Sequence, residues 1–582
     1  MMSKIANIKI NGIPLEVPLG TTVLEAAKQV GVHIPTLCHL DLCDFGVVNK
    51  VASCRVCVVE VAGRNALAPS CAEMVYDGME VVTDSLKSIN ARRNNLELLL
   101  SNHPFECLTC MKNLDCELQA LAEELNIREI HATGEKMDYP IDLSSNAIVK
   151  DPNKCVMCRR CETMCNEVQT VGVLSGINRG FEAVVGTAFH LDMIDTSCTY
   201  CGQCVAVCPT AALTERNDLP RVWRALSRER NHVVVQVAPA VRVAIGEMFG
   251  MEPGTISTGK LVTALRRLGF DSVFDTNFGA DLTIMEEARE LVHRIEHNGT
   301  LPMLTSCCPA WVKFFEHQFP EMLDVPSTCK SPQTMVGAIA KTYYAEKINV
   351  PAKRIKVVSI MPCVAKKAES ARPELSKEDY LHVDYVLSTR EFGHMIKEAG
   401  IDFKALPDGE FDSILGESTG AAAIFGTTGG VIEAATRTAY ELITGESLER
   451  IDFEDLRGLD GIREATVTIK DLDLKIGIAH GLGNARRLLE SIKEGKAFYH
   501  AIEIMACPGG CIGGGGQPYH HGDQSIIKKR QDAIYEIDKN TPRRKSHENE
   551  MVLKLYKDYL GDPYGEKAHD LLHTCYTPGE KI

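Results

Sequence analysis

No apolar run in the 582-residue chain reaches the ~18–20 positions that a membrane-spanning helix needs. The longest stretches free of Asp, Glu, Lys and Arg are Thr196 to Thr214 and Ile504 to Gly522, and both are cysteine motifs broken by glycine and proline. A transmembrane segment is not expected. The opening residues, MMSKIANIKINGIPLEV, lack the apolar core of a signal peptide and any twin-arginine motif, so a cytoplasmic protein is expected. Basic charge is also short: 63 Lys and Arg stand against 78 Asp and Glu, a net charge of −15. That balance argues against nucleic-acid binding, which needs a basic face to meet phosphates. No GxGxxG fingerprint or Walker loop stands in a strand–turn–helix context, so NAD(P) would have to bind elsewhere. Low-complexity linkers are missing too, and the domains are expected to pack directly on one another.

What the chain has is cysteine, 23 of them, in tight groups. Metal-ligand spacing favours a reducing compartment with thiolates on metal over a secreted disulfide framework. Hydrophobic residues at 45% and charged residues at 24% fit a soluble globular chain. Its length suggests three or four domains.

Residues 4–17 alternate apolar and polar positions around Asn11-Gly12, a strong hairpin signal. Thr21–Val30 predicts a short helix, and 54–61 (CRVCVVEV) a strand. Leu86 to about Leu125 turns helical. Residues 139–217 are short elements dominated by cysteine. From Arg221 strand–helix alternation begins (HVVVQVAPA, RIKVVSIMPC, DLKIGIAHGLG), which predicts α/β structure with parallel strands.

Four cysteine sets carry the chemistry. The first, Cys38-x15-Cys54-x2-Cys57-x13-Cys71, offers the four thiolates an iron–sulfur cluster wants. Cys43 competes for the first position, and structural zinc is the alternative metal. In context (IPTLC…ASCRVCVVEV) the set resembles the β-grasp [2Fe–2S] module of complex I and iron hydrogenases, which favours Cys38. The second set is His103-x3-Cys107-x2-Cys110-x5-Cys116. It resembles the [4Fe–4S] site with one histidine and three cysteine ligands of the same proteins. The third and fourth are Cys155, Cys158, Cys161, Cys165 and Cys198, Cys201, Cys204, Cys208, each spaced C-x2-C-x2-C-x3-C. Paired runs of this kind mark the two-cluster bacterial ferredoxin, where the fourth cysteine serves the other cluster. Cys155, Cys158, Cys161 and Cys208 are thus assigned to one [4Fe–4S], and Cys198, Cys201, Cys204 and Cys165 to the other. Asn166 stands where the first run's trailing proline is expected.

Downstream, three motifs remain: Thr305-Ser306-Cys307-Cys308-Pro309-Ala310-Trp311, Met361-Pro362-Cys363 through Glu369, and Glu503 through Cys511 followed by Gly513–Pro518. Cys308, Cys363, Cys507 and Cys511 can converge on one more cubane. The glycines allow backbone to approach a bulky inorganic ligand.

These three motifs resemble the H-cluster signatures of [FeFe]-hydrogenases, TSCCPxW, MPCxxKxxE and ExMACxxGCxxGGGQP. The resemblance implies an H-cluster, a [4Fe–4S] cubane on those four cysteines. It further implies that Cys511 bridges to a two-iron subsite carrying CO, cyanide and an azadithiolate, built by dedicated maturases. Residue by residue it implies Cys307 as the proton-passing thiol, then Glu287, Ser327 and Glu290, with Arg294 near the mouth. Glu287, Glu290 and Arg294 share one helical face at i, i+3, i+7; the bland alternative is a solvated charge stripe. Lys366 is expected on a cyanide. Met361, Met505, Gln333 and Phe425 are expected to line the pocket, and Ala238-Pro239-Ala240 to supply backbone N–H groups. Relatives often carry Ser at Ala240. Cys43, Cys329 and Cys575 have no other assigned role.

The expected architecture is α+β multidomain. It comprises a β-grasp [2Fe–2S] ferredoxin domain (1–80), a small histidine-ligated [4Fe–4S] domain (81–138) and a two-cluster bacterial ferredoxin domain (139–217). A large α/β H-cluster domain (218–582) follows, with parallel sheets in two lobes and a small-subunit-like segment at 520–582. The expected activity is 2H⁺ + 2e⁻ ⇌ H₂ by an anaerobic oxidoreductase. One [2Fe–2S], three [4Fe–4S] and the H-cluster are its expected cofactors. Expected partners are a flavin- and NAD(P)-binding subunit, a small thioredoxin-like [2Fe–2S] subunit and ferredoxin, in an electron-bifurcating complex. A monomeric ferredoxin-dependent enzyme is the alternative. An H2 sensor, an assembly scaffold and a complex I-type electron-transfer subunit fit the motifs less well.

Overall fold

The computed structural model describes residues 4–42, 45–377, 379–448, 451–470 and 472–579. Asn11 (φ 50°) and Gly12 (φ 81°) take the left-handed backbone of a tight hairpin turn. They join β1 (Ile5–Ile10) to antiparallel β2 (Ile13–Pro18). A helix follows at Val23–Gln29. Its capping box is complete, with Thr22 and Glu25 bonding each other's backbone. With β3 (Val58–Val61), β4 (Ala68–Pro69) and β5 (Glu80–Val82) the first sheet has the order β2-β1-β5-β3-β4. The expected strand over 54–61 is therefore half its length. Residues 54–57 form a turn instead, because Arg55 is left-handed (φ 56°) and the cysteines on either side curl inward.

Helices Leu86–Asn102 and Glu117–Glu124 flank a loop with one short 3-10 turn, Cys107–Thr109. The short elements beyond it are β6 (Ile148–Lys150), paired with β9 (Leu213–Glu215), and a hairpin of β7 (Ser175–Ile177) and β8 (Val184–Gly186).

The large domain holds two four-stranded sheets. The first contains β10 (His232–Val237), β11 (Ser272–Asp275), β13 (Ile355–Met361) and β14 (Tyr385–Ser388) in the order β11-β10-β13-β14, all parallel. The second contains β12 (Met303–Leu304), β15 (Ile462–Ile469), β16 (Leu472–His480) and β17 (Ala501–Met505) in the order β12-β17-β16-β15. Here the expectation of parallel strands needs correction at one edge: β15 runs antiparallel to β16. Only two residues separate them in sequence, too few for the crossover a parallel pair requires.

Each sheet buries its own apolar core, with Val233–Val237 and Val357–Ile360 in one and Ile476, Ile478 and Ile502 in the other. The helix Thr276–Glu296 lies between them and is buried almost throughout from Thr276 to Val292. No helix among the described residues is long and apolar enough to cross a membrane.

Buried ion pairs lock the domains together. Arg390 grips Glu215 of β9 with Nε (2.9 Å) and Nη2 (2.8 Å), and donates to Gly515 O (2.8 Å) and Gln517 O (2.5 Å). Arg160 forks onto Glu117 at 2.7 and 2.8 Å. Lys112 Nζ donates to Cys208 O at 2.7 Å.

Candidate active site and metal centres

In the first domain Cys38, Cys54, Cys57 and Cys71 are all buried. Cys57 Sγ lies 3.3 Å from Cys71 Sγ. Cys38 is within side-chain hydrogen-bonding reach of both Cys54 and Cys71. The four thiols face one another, and this soft donor set fits a [2Fe–2S] cluster. Cys43 lies outside the described residues.

Pro104 denies His103 a helical backbone, so the helix Leu86–Asn102 stops there. Among the described residues its Nδ1 is buried without a partner. Burial, then the charge of Lys154, pushes its pKa down to about 4. A neutral imidazole with a free nitrogen suits a metal. Cys107, Cys110 and Cys116 follow on the loop, with Cys107 exposed.

The two C-x2-C-x2-C loops adopt one conformation twice. Met157 and Tyr200 hold matching positions and are left-handed (φ 51° and 56°), as are Arg159 and Gly202 (60° and 74°). For a residue with a side chain this costs on the order of 1 kcal/mol. Such backbone turns N–H groups and thiols inward, a concavity suited to iron–sulfur clusters. The charge of Cys208 bears on Cys155, Cys158 and Cys161. That of Cys165 bears on Cys198, Cys201 and Cys204. The fourth cysteine of each run thus sits with the first three of the other.

The sets adjoin one another. Cys38, Cys54 and Cys158 belong to one apolar cluster with Leu37, Leu96, Leu118 and Leu121, and Cys116 packs against it. At the far end Cys507 Sγ lies 4.0 Å from Cys201 O. A Cβ on Gly515 would fall 2.7 Å from Gly202 Cα, so only glycine allows the two loops to meet this closely.

Strands β10 and β13 of one sheet and β12 and β17 of the other end at a shared cavity of about 70 Å³. Ligands in open α/β sheets favour this crevice beyond the carboxyl ends of the strands. Cys307, Cys308, Cys363, Cys507 and Cys511 line it, with Ala238, Pro239, Gln333, Met361, Lys366, Phe425 and Met505. Of the cavity residues expected from the sequence, all but Ala240 line it. Ala240 is buried behind them and its carbonyl accepts from Gln517 at 2.9 Å. Burial first, and neighbouring thiolate charge second, raises these cysteines; Cys511 is pushed up to about 12. Four thiols whose ionised forms would repel one another around one space form a set that a metal cluster relieves.

Lys366 Nζ pairs with Glu369 (2.9 Å) and donates to Cys307 O (3.1 Å). Gln333 donates to the same carboxylate at 2.9 Å. Glu369 is the last letter of the second motif, but the motif alone does not show that it anchors both Lys366 and Gln333.

Outward from Cys307 the carboxylates are buried, which rules out the solvated charge stripe. Burial first, then the charge of Glu290, pushes the Glu287 pKa up to about 8. Ser306 Oγ donates to Cys329 O (2.7 Å) and lies 3.4 Å from Glu287 Oε1. Ser327 Oγ donates to Glu290 Oε2 at 2.8 Å, and Arg294 Nη2 to Glu290 Oε1 at 2.6 Å. Glu287 Oε2 has no partner among the described residues.

Residues 231–515 match the family described as iron only hydrogenase large subunit, C-terminal domain, and 524–579 the iron hydrogenase small subunit. Residues 92–131 match the NADH-ubiquinone oxidoreductase-G iron-sulfur binding region. Residues 4–85 match a 2Fe-2S and 193–214 a 4Fe-4S binding domain. The chain is 58% identical over 582 residues, 99% of both chains, to the NADP-reducing hydrogenase subunit HndD of Solidesulfovibrio fructosivorans. The chain belongs to the [FeFe]-hydrogenases. It is also 40% identical to iron hydrogenase 1 of Clostridium pasteurianum, over 98% of this chain and 99% of that one. The structure of an apo [FeFe]-hydrogenase HydA1 from Chlamydomonas reinhardtii matches 63% of this hydrogenase and 100% of its own chain, at 43% identity and TM-score 0.57. This hydrogenase is therefore an iron–sulfur oxidoreductase with [2Fe–2S], [4Fe–4S] and H-cluster domains.

Proposed function

We propose that this hydrogenase catalyses 2H⁺ + 2e⁻ ⇌ H₂ as the catalytic subunit of an NAD(P)H- and ferredoxin-linked, electron-bifurcating complex. The cavity carries the catalytic part of the reading: four cysteines line it, Cys363 and Cys507 buried and Cys308 and Cys511 partly buried, with a fifth, the buried Cys307, beside them. When bound, the H-cluster supplies the iron centre at which protons and electrons combine. Cys308, Cys363, Cys507 and Cys511 would hold it. Cys307 passes the proton at its thiol, Glu287 receives it, and Ser327, Glu290 and Arg294 lead it outward. Lys366, kept charged by Glu369, would donate a hydrogen bond to a cyanide ligand of the bound cluster in a dry site. The two methionines and Phe425 exclude water.

The N-terminal half would hold one [2Fe–2S] and three [4Fe–4S] clusters in the domains 1–80, 81–138 and 139–217. The contacts around Cys158 and between Cys201 and Cys507 favour one continuous electron path. The full-length likeness to a subunit of an NADP-reducing hydrogenase supports a multisubunit assembly. A flavin- and NAD(P)-binding subunit and a small thioredoxin-like [2Fe–2S] subunit complete it, in an anaerobic cytoplasm that keeps the thiols reduced. The likeness over nearly the whole length to iron hydrogenase 1, a name that marks no subunit, favours the second reading, a self-sufficient enzyme that takes its electrons from ferredoxin. H₂ evolution by anaerobically purified native material separates the two. Turnover only with NAD(P)H and reduced ferredoxin together, and with a flavoprotein co-purifying, is expected. Full turnover of the isolated chain on ferredoxin alone would establish the second reading.

Glu287 also sets a pH limit. Its folded pKa, about 8, lies above the ordinary carboxylate value, so it holds its proton at neutral pH and releases it as pH rises through about 8. H₂ evolution, which draws on that proton, is expected to fall across this range, while H₂ oxidation rises. The two pH–rate profiles on artificial dyes test this; an evolution rate flat from about pH 6 to 9 would count against Glu287 as the donor.

A further inference from the structure

The C-terminal tail sends two side chains into the proton path. It lies against Thr328–Lys330 as a short antiparallel bridge pairing Cys329 with His573. Thr574 N–H donates to Thr328 O and Lys330 N–H to Leu572 O, both at 2.7 Å. This register turns His573 inward and leaves Cys575 exposed.

The Tyr576 hydroxyl donates to Ser327 O at 2.5 Å and lies beside the Ser306 hydroxyl, the group that approaches Glu287. His573 Nδ1 meets Thr328 Oγ1 at 2.7 Å, and Thr328 N–H donates to Glu290 at 3.2 Å. His573 is itself anchored, with Nε2 3.0 Å from Glu286 Oε2, while the Tyr556 hydroxyl donates to the other Glu286 oxygen. The Ser327–Thr328 segment is therefore held from two sides by one strand of tail.

We infer that this tail is the template of the proton relay: Tyr576 and His573 are positioning residues that fix Ser327 between Glu287 and Glu290. The inference rests on the relay reading above. The two glutamates need no such help, because the helix Thr276–Glu296 sets them one turn apart. Ser327 has no helix or strand of its own. Proton transfer needs heavy atoms about 2.6–3.2 Å apart. Ser327 meets that on the Glu290 side, at 2.8 Å, while Glu287 Oε2 is buried with no partner among the described residues and so is free to take a proton. Glu290, Cys329 and His573 also bring ligand atoms within 4.8 Å of one another, as a metal site would. Yet Glu290 is already engaged by Arg294, Ser327 and Thr328, and His573 by Thr328 and Glu286. That trio belongs to the same scaffold.

The test uses the holoenzyme and a reduced dye, so that electron supply from partners does not intervene. Tyr576→Phe and His573→Asn are each expected to lower kcat about tenfold, since misplacement by an ångström costs up to about 10²-fold. The dye KM, total iron and melting temperature stay unchanged, and the solvent deuterium isotope effect grows. Cys575→Ser, on the same tail but outward, keeps wild-type rates. Ser327→Ala is the reference for the relay itself. If Ser327→Ala is disabled while Tyr576→Phe and His573→Asn keep more than about half of kcat, the template is overturned and the relay stands. If Ser327→Ala is itself unaffected, the relay reading falls first. Loss of iron or of melting temperature in both tail variants would reduce the tail to a structural strap and also overturn the inference.

Discussion

Replacing Cys307 with alanine is expected to lower H₂ turnover by about 10²–10⁴-fold in both directions, the range that a positioned acid–base group supplies. The loss should be confined to proton delivery. What Lys366 takes from residue 307 is the backbone carbonyl, which alanine retains. Cys308, the neighbouring cavity thiol, is untouched. Total iron and the spectra of the N-terminal clusters should therefore equal wild type. Burial first, and the ionised form of Glu287 second, hold the Cys307 thiol well above its ordinary pKa, and alanine removes that proton. Anaerobic iron analysis with dye-linked assays of evolution and oxidation decides the matter. Activity above about a tenth of wild type would remove Cys307 from the proton path.

Arg390→Met is expected to cost about 3–5 kcal/mol, the usual price of stranding one half of a buried ion pair. Arg390 is fully enclosed and makes four hydrogen bonds, two to Glu215 and two to the glycine-rich loop at Gly515 and Gln517. Burial alone would raise the Glu215 pKa, but the guanidinium overrides it and holds the carboxyl near 2. A depressed folded pKa gives stability that is present above the unfolded value and is lost as pH falls through about 2. Removing Arg390 therefore removes that stability at neutral pH. The same residue ties the ferredoxin-like domain to the loop after Cys511. Thermal unfolding should show the drop, and limited proteolysis should cut near 215–220 first. Dye-driven turnover should fall further when the dye enters through the N-terminal clusters than when it reaches the cavity directly. Unchanged unfolding and proteolysis would show that the pair is dispensable.

Much of this was legible in the sequence, for identifiable reasons. Asn11-Gly12 announces its hairpin because two consecutive left-handed residues are demanded there. The cysteine spacings announce their sets because a cluster fixes where thiols must stand. The i, i+3, i+7 face of Glu287, Glu290 and Arg294 was visible, but its burial was not: charge on one helical face reads as solvated until another layer covers it. The strand expected at 54–61 was too long because apolar β-branched letters around Cys54 and Cys57 say nothing of the turn the thiols impose. The antiparallel edge strand β15 hid inside a run of apparent α/β alternation. Ser306, Tyr576 and His573 carry no local signal. Their partners stand as many as 287 positions away in the chain, and only folding brings them together.

The exchanged fourth cysteines, Cys165 and Cys208, bear on how the protein is made. If each cluster draws three ligands from one loop and one from the other, neither half can finish loading alone. A chain released with only the first loop synthesised holds three thiolates and an open iron site, exposed to oxygen and to the wrong metal. Completion waits for Cys208, more than forty residues later. Filling of the pair should then be all-or-none, with a half-loaded species scarce, and a ligand lost from one loop should empty both.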